Sequence, residues 1–504
     1  MTIDPNKPPR PGRGVLKKSA LAGVLIVLLT ATTVASAALL EVDQLVNIVR
    51  NEGQSIPGVK NVLDNVDAGG AQTILVIGSD RRYVDRDAKG AARSDTLMLV
   101  RLDPNKAATA VVSIPRDLKV DIPGYGSDKI NAAFSLGGPK LTLKTVRDLL
   151  GIQINHIVEV NFGGFQRAVN RLKCVYVDVD HRYYHSNAGL APAAQYAEIN
   201  LKPGYQKLCG LQSLDYVRFR HADSDFVRSA RQQDFLRQAK GQFSLSSLLG
   251  DRKQLVRIFA RYTRTDVRSN DAILQLLKLA FLSSKNPIRE IHFPATELPG
   301  GSYLTASPTA LQTVADEFEN AQATPGAKQT GDTSKKARKA RKKQKTKSSG
   351  ALPAGITADK SEGEMQAIAA ATKTAMQVYY PAVRLSSGGY SSGESDFPAT
   401  RAYRIKDRSK QGFAAYRMVL STGEAGQYYG IQGTTWKAPP LLDSPSETMR
   451  MRGRSYELFY DGTRLRLVAL RTSKGVYWVS NTLSQTLTNP QMMAIARSLT
   501  SLGS

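Results

Sequence analysis

The sequence predicts an α/β protein made of two folded units behind an apolar N-terminal segment. Three observations carry this. Strand-like and helix-like apolar patterns alternate from about residue 71 to about residue 300. An uncharged run, Ser19–Leu40, stands near the start of the chain. A polar, basic stretch at 321–363 separates the first unit from a smaller one at 364–504 with a similar mixture of patterns.

The chain has 504 residues and a formal net charge of +26. Residues 1–18 form a basic tail, with Lys7, Arg10, Arg13, Lys17 and Lys18 against Asp4. The run Ser19–Leu40 is long enough to cross a bilayer as a helix. Basic residues ahead of it keep the N-terminus in the cytoplasm and place the bulk of the chain outside the cell membrane. A cleaved signal peptide is the competing reading, because Ala35-Ser36-Ala37 resembles a cleavage site. The apolar run continues past that site, which favours a single-pass anchor. Either way the rest is exported, so no nucleic-acid partner is expected. The charge points instead to anionic lipid or a phosphate-bearing polymer. In an exported chain the two cysteines, Cys174 and Cys209, predict a disulfide, with two buried free thiols as the alternative.

Residues 41–70 read as a short helical stalk and a loop. In the first unit, TILVIG, LMLVRL and AVVSI are strands, and LTLKTVRDLLG is a helix closed by Gly151. Strand INHIVEVNF, helix GGFQRAVNRL and strand CVYVDVD make a βαβ-like run, and LQLLKLAFL is a later helix. The linker 321–363 has almost no large apolar residues and contains KKARKARKKQKTK, so it predicts a solvated tether. In the second unit MQAIAAATKTAM and NPQMMAIARSL are helix candidates. SYELFYDGTRLRLVAL is a hairpin about Asp461-Gly462, and GVYWVSNTL is a further strand.

Charged residues interrupt this pattern at strand ends. If the first three strands form an antiparallel meander reversing at Asp103–Lys106, one sheet edge collects Asp80, Asp95 and Arg116. A second group lies at 214–235. Arg218 and Arg220 share one face of a strand-like run, and Arg228 and Gln232 share one face of a helix, with Arg231 beside them. Taken singly, each arginine reads as a surface ion pair. Together, paired carboxylates suit Mg²⁺ and clustered guanidinium groups suit phosphate oxygens. That combination fits phosphoryl transfer, which depends on position and electrostatics. His181 and His185 in HRYYH lack further metal ligands nearby and read as part of a solvated loop.

GSDRR, RSDTLMLVRLDP, VSIPRD, KINAAFSLGG and DYVRFRH…DFVRSARQQDFL, in this order and spacing, resemble the LytR-CpsA-Psr (LCP) family of bacterial cell-envelope proteins. The resemblance covers about residues 72–300. It implies an α/β/α sandwich on a mixed sheet, with an apolar pocket for a lipid chain. It also implies a glycopolymer–peptidoglycan transferase, a phosphotransferase that moves a glycopolymer from a polyprenyl-pyrophosphate carrier to a peptidoglycan hydroxyl. The protein would be membrane-anchored and use Mg²⁺. By motif position, Asp80 and Asp95 match the metal-linked acids, and Arg116 matches the arginine at the pyrophosphate. Arg218, Arg220, Arg228 and Gln232 match the other head-group ligands, with Arg93 and Arg231 adjoining. Asp95 is the better choice of general base. Paired cysteines like Cys174 and Cys209 resemble those of actinobacterial members. Two features depart from the family pattern. Lys173-Cys174-Val175 stands where Gly-Gly-Val is frequent, and the interval from Asp80 to Asp95 is long. The competing functions are a lipid-pyrophosphate hydrolase and a non-catalytic, membrane-anchored polyanion-binding protein or regulator.

Overall fold

The computed structural model describes residues 43–503 apart from 66–68, 80–93, 107, 192–194, 196, 220–224, 244–250, 284–285, 300–302, 323–351 and 452. The expected membrane span, most of the basic linker, and the site candidates Asp80, Arg93 and Arg220 lie outside the described residues. Among the described residues no helix is long and apolar enough to cross a membrane.

The first unit is built on a seven-stranded mixed sheet. Its strands are β1 (Gln54–Ser55), β2 (Gln72–Ser79), β3 (Ser94–Leu102) and β4 (Thr109–Ile114), followed after a small hairpin, β5 (Lys119–Ile122) and β6 (Gly126–Lys129), by β7 (His156–Asn161). A ribbon of β8 (Val175–Val179), β9 (Tyr183–His185), β10 (Ile199–Leu201) and β11 (Gly204–Leu208) precedes the last two sheet strands, β12 (Thr263–Thr265) and β13 (Ile288–Ile291). The sheet order is β1-β12-β7-β2-β3-β4-β13. Strands β2, β3 and β4 form the antiparallel meander the sequence implies, while β7 lies parallel to β2. The reversal after β3 is a turn in which the Asn105 N–H donates to the Asp103 carboxylate at 2.9 Å.

Among the described residues the helices that accompany these strands include α1 (Ala132–Leu150), α2 (Phe162–Arg171), α3 (Gly210–Arg218), α4 (Asp225–Gln242), α5 (Arg252–Tyr262), α6 (Asn270–Ser283) and α7 (Pro308–Glu319). Alternation along the strands sends Leu75, Ile77, Leu97, Leu99, Val112 and Ile114 to one face. There they pack on α1 and α7 in the main core. The opposite face meets α4 and α6. On that face Ile74, Val76, Val100 and Val160 remain only partly buried.

Three sequence expectations need correction here. Helix α1 begins nine residues before LTLKTVRDLLG, and Gly138, at φ 64°, breaks it just before Pro139. Glycine accepts that left-handed conformation at low cost, and proline then opens the second helical stretch without a wasted N–H. The C-terminus of α1 is as expected, with Gly151 at φ 66° donating to the Arg147 carbonyl at 2.8 Å. The βαβ reading fails at its third element: β8 leaves the sheet and pairs antiparallel with β11. Lys173 and Cys174 both adopt positive φ there, 61° and 70°, and redirect the chain. Finally, residues 43–52 are not a free stalk. They are helical, Val46 and Val49 pack on Val267 and Ile273, and β1 extends the sheet edge.

The second unit starts earlier than expected. Residues 353–363, assigned above to the linker, hold a strand at Ile356–Ala358 and the start of the helix Lys360–Ala371. The centre of this unit is an eight-stranded sheet whose pairings are all antiparallel, from Gly389–Tyr390 to Val476–Ser480. Consecutive hairpins make it α+β rather than α/β in the alternating sense. The closing helix, Asn489–Arg497, carries a capping box between Thr488 and Gln491. At the expected hairpin, Gly462 has φ 57°, and a Cβ there would collide with the Arg289 guanidinium of the first unit.

The two units share buried surface. Strand β8 alternates Val175, Val177 and Val179 towards its own helices with Tyr176 and Asp178 towards the second unit. Tyr176 and Tyr205 pack with Phe459, Leu467 and Trp478. The fully buried Arg417 donates to both Asp178 carboxylate oxygens at 3.1 and 3.3 Å, and the Trp478 indole N–H donates to the same group at 3.0 Å. Cys174 and Cys209 are disulfide-bonded where β8 begins and β11 ends. The bridge therefore joins the ribbon to the N-terminus of α3, not to an arginine-bearing strand.

A second junction is electrostatic. Arg237 of α4 contacts Asp234 and Asp461 at 3.0 Å each, and also Glu290. Burial pushes the Glu290 carboxyl up to about 8, against the pull of Arg237. A carboxyl raised in the folded state contributes stability that is complete below its unfolded value, near 4.5. That stability is lost as pH rises through about 8. The urea midpoint should therefore fall across this interval, and Glu290→Gln should flatten the decline. Parallel wild-type and variant slopes would show that Glu290 stays ionised.

Candidate functional site

The meander brings the C-terminal ends of β2 and β4 and the N-terminal end of β3 to one edge. Ser79 stands opposite Ser94, and Leu97 opposite Ile114. The C-terminal end of β7 joins them, with Ser79 beside Asn161. Asp95 is the second residue of β3, and Arg116 lies two residues beyond β4. Crevices at strand ends are frequent binding sites in α/β sheets.

The turn carrying Arg116 is held on several sides. The Arg116 carbonyl accepts from the Asn131 N–H at 3.2 Å, and the Pro115 carbonyl from the Leu118 N–H at 3.2 Å. Arg116 Nε lies 3.5 Å from Asp117 Oδ2, and Lys129 Nζ lies 2.9 Å from Asp117 Oδ1. The Asp117 carbonyl in turn accepts from the Leu304 N–H at 3.0 Å. Arg116 is 5% exposed, so its guanidinium is fixed rather than solvated. This gives Lys129 and Asn131, in the KINAAF segment, a physical role: they brace the arginine turn.

The cluster at 214–235 is arranged differently from its strand reading. Residues Gly210–Arg218 are helical, so Arg218 is the last residue of α3 rather than one of an alternating pair. Its guanidinium carbon lies 4.8 Å from the centre of the Phe162 ring, at the start of α2 and beside Asn161. Gln232 donates to the Thr96 hydroxyl and to the Val217 carbonyl, both at 3.0 Å. It thereby ties α4 to β3 one residue from Asp95. Arg228, one turn earlier, is 3% exposed. Arg231 does not join them. It is fully buried and donates to the Tyr183 hydroxyl and to the Tyr216 and Phe219 carbonyls, so it is a core arginine.

No motif in the sequence marks Asp215. It lies three residues before Arg218 on α3, and burial pushes its carboxyl up to about 6 while Arg218 pulls the other way. Its position relative to Arg218 becomes visible only when the segment is read as a helix.

His181 and His185 are not in a solvated loop. They are 3% and 5% exposed. His181 lies 3.0 Å from the Asp180 carboxylate and stacks on Tyr428 of the second unit, and His185 Nδ1 lies 2.7 Å from the Ala197 carbonyl. Among the described residues, no three His, Cys, Asp or Glu side chains are grouped for a metal.

The family model described as the LytR_cpsA_psr family matches residues 36–322. The polyisoprenyl-teichoic acid–peptidoglycan teichoic acid transferase TagT of Bacillus subtilis (strain 168) is 30% identical over 275 residues, 55% of this chain and 83% of that protein. The regulatory protein MsrR of Staphylococcus aureus (strain Mu50) is 36% identical over 173 residues, 34% of this chain and 49% of its own length. The chain thus spans about half of that relative. A solved structure of TagT bound to LIIa-WTA is 29% identical and covers 53% of this chain and 95% of that one, with a TM-score of 0.39.

Proposed function

We propose, from the premise that the chain belongs to the LytR-CpsA-Psr family, that it is a membrane-anchored transferase of glycopolymer from a polyprenyl-pyrophosphate carrier to a peptidoglycan hydroxyl. The supporting observation is the buried, braced Arg116 at the sheet edge where Asp95, Arg218 and the Gln232–Thr96 pair also lie. The name of the TagT relative supports the same reaction class. The name of MsrR suggests a regulator, but the placement of charged groups at one strand edge favours chemistry on a phosphate.

In this reading the acceptor hydroxyl oxygen bonds to the phosphorus next to the glycopolymer. The bond from that phosphorus to the bridging oxygen breaks, and polyprenyl phosphate leaves. Arg116, Arg218 and Arg228 bind and orient the pyrophosphate oxygens, and their charges offset what develops as the bond breaks. Gln232 fixes α4 against β3, so the distance from Arg228 to the strand edge is set by a buried amide. Asp95, the second residue of β3, would accept the hydroxyl proton. Mg²⁺ needs only one or two carboxylates alongside phosphate oxygens, and by their place in the chain Asp80 and Asp95 would supply them. Mg²⁺ would there neutralise pyrophosphate charge. The partly open face lined by Ile74, Val76, Val100 and Val160 would take the lipid chain, completing the α/β/α sandwich. The run Ser19–Leu40 would hold the enzyme at the membrane.

The test is incubation of the membrane-bound full chain with a polyprenyl-pyrophosphate glycopolymer and peptidoglycan. A covalent phosphodiester product that disappears with EDTA and returns with Mg²⁺ is expected. Release of lipid phosphate without that product would assign the hydrolase instead.

A further inference from the structure

A cleft of about 390 Å³ opens beside the arginine turn, and the second unit supplies one of its walls. Its floor is Ser113 and Pro115, at the end of β4. Phe226, Ser229 and Gln233 of α4 form one side, on a face of the helix that adjoins Arg228. Glu424, Gln427 and Ser484 of the second unit face them. Along the sheet the cleft lies close to the proposed site: Ser113 stands opposite Met98, two residues from the Thr96 held by Gln232.

Two residues that line this cleft each carry a buried polar atom without a hydrogen-bond partner among the described residues, Ser113 Oγ and Gln427 Oε1. Ser113 is 2% exposed and Gln427 8%. The Gln427 amide is also oriented, because its nitrogen donates to Ser484 Oγ at 3.0 Å. A buried carbonyl oxygen left unpaired is destabilising, so such groups ordinarily meet a ligand or a neighbour. Phe226 and Phe293 add apolar ring surface. No Lys or Arg is among the described lining residues, and the one carboxylate among them, Glu424, is exposed and accepts hydrogen bonds from hydroxyl groups. The lining therefore suits an uncharged, hydroxyl-rich molecule with an apolar ring face, and the volume is in the range of small-ligand pockets.

We propose that this cleft is a saccharide subsite completed by the second unit, which places a sugar of the glycan substrate beside Arg116. The proposal deepens the transferase reading and rests on it for the identity of the substrate. The sugar could belong to the acceptor glycan or to the carrier-linked polymer, and two probes separate these sources. One is a soluble tetrasaccharide of alternating N-acetylglucosamine and N-acetylmuramic acid. The other is a short-chain polyprenyl-pyrophosphate donor bearing one sugar or several.

The experiment measures binding of each probe to the full chain in detergent by saturation-transfer NMR. Gln427→Ala is expected to weaken one of them about tenfold, the loss of one buried hydrogen bond. Ala425→Trp lies on an exposed loop at the rim and should block the cleft without unfolding the unit. The remote, exposed Lys474→Ala should bind as wild type. Loss confined to the tetrasaccharide assigns the acceptor, and loss confined to the longer donor assigns the polymer. If neither probe binds wild type, or if Ala425→Trp binds both undiminished, the subsite is wrong. Binding lost in the cleft variants of a protein that never forms a phosphodiester would retain the subsite and remove the transferase.

Discussion

Arg116→Ala should lower glycopolymer transfer by about 100- to 1000-fold, the usual loss when one preorganised charge at a reacting phosphate or oxyanion is removed. The fold should survive. The main-chain bonds from Asn131 and Leu118 that hold the turn do not involve the guanidinium, and the Lys129–Asp117 pair remains. Transfer is read as phosphodiester product, and folding as the urea midpoint. Arg116→Lys should recover little, since an ammonium cannot reproduce the planar fork of donors. Full activity in Arg116→Ala would remove this residue from the site and leave the bracing of its turn without a purpose.

Asp178→Ala should destabilise the protein by about 3–5 kcal/mol, because it leaves the fully buried Arg417 charge without its carboxylate. The Trp478 indole N–H loses its acceptor at the same time. The loss should be cooperative across both units, since Tyr176 and Tyr205 of the first unit are packed into the core of the second. Hydrogen exchange at β8 and at the strand Gly412–Ser421 should therefore accelerate together. Exchange confined to one of them would show that the units are independent. A change of less than about 1 kcal/mol would show that Arg417 finds water or another acceptor.

The parts of the site that the sequence showed are those set by chain order. A meander with a tight turn at Asp103–Lys106 puts Asp95 and Arg116 at one edge in any sheet of direct neighbours, and this is the observed register. The helix carrying Arg228 and Gln232 was legible from spacing alone. Arg231 was not separable from them, because helical spacing gives the angle between residues and not which side meets the core. The segment before Arg218 reads as a strand because Tyr216, Val217, Arg218 and Phe219 alternate, yet Gly210–Arg218 is helical. Asp215 was missed for the same reason. The HRYYH run reads as a solvated loop because no further metal ligand lies near it in the sequence. In the structure a whole second unit covers it, with Tyr428 on His181.

Local patterning along the chain suffices for the alternation of strands and helices, the family, and the order in which charged residues meet the sheet edge. These depend on local periodicity and short turns, which neighbouring residues decide. What lies across from each surface follows from how the whole chain packs. Along Val175–Val179, alternation shows two faces and leaves open what the Tyr176–Asp178 face meets. Arg417 and Trp478, more than two hundred residues later, make it a dry interface. Likewise the Pro115 end of β4 becomes one wall of a cleft because Gln427 and Ser484 reach it from the far unit. Such pairings depend on complementarity between distant segments, and no pattern within either segment encodes its partner.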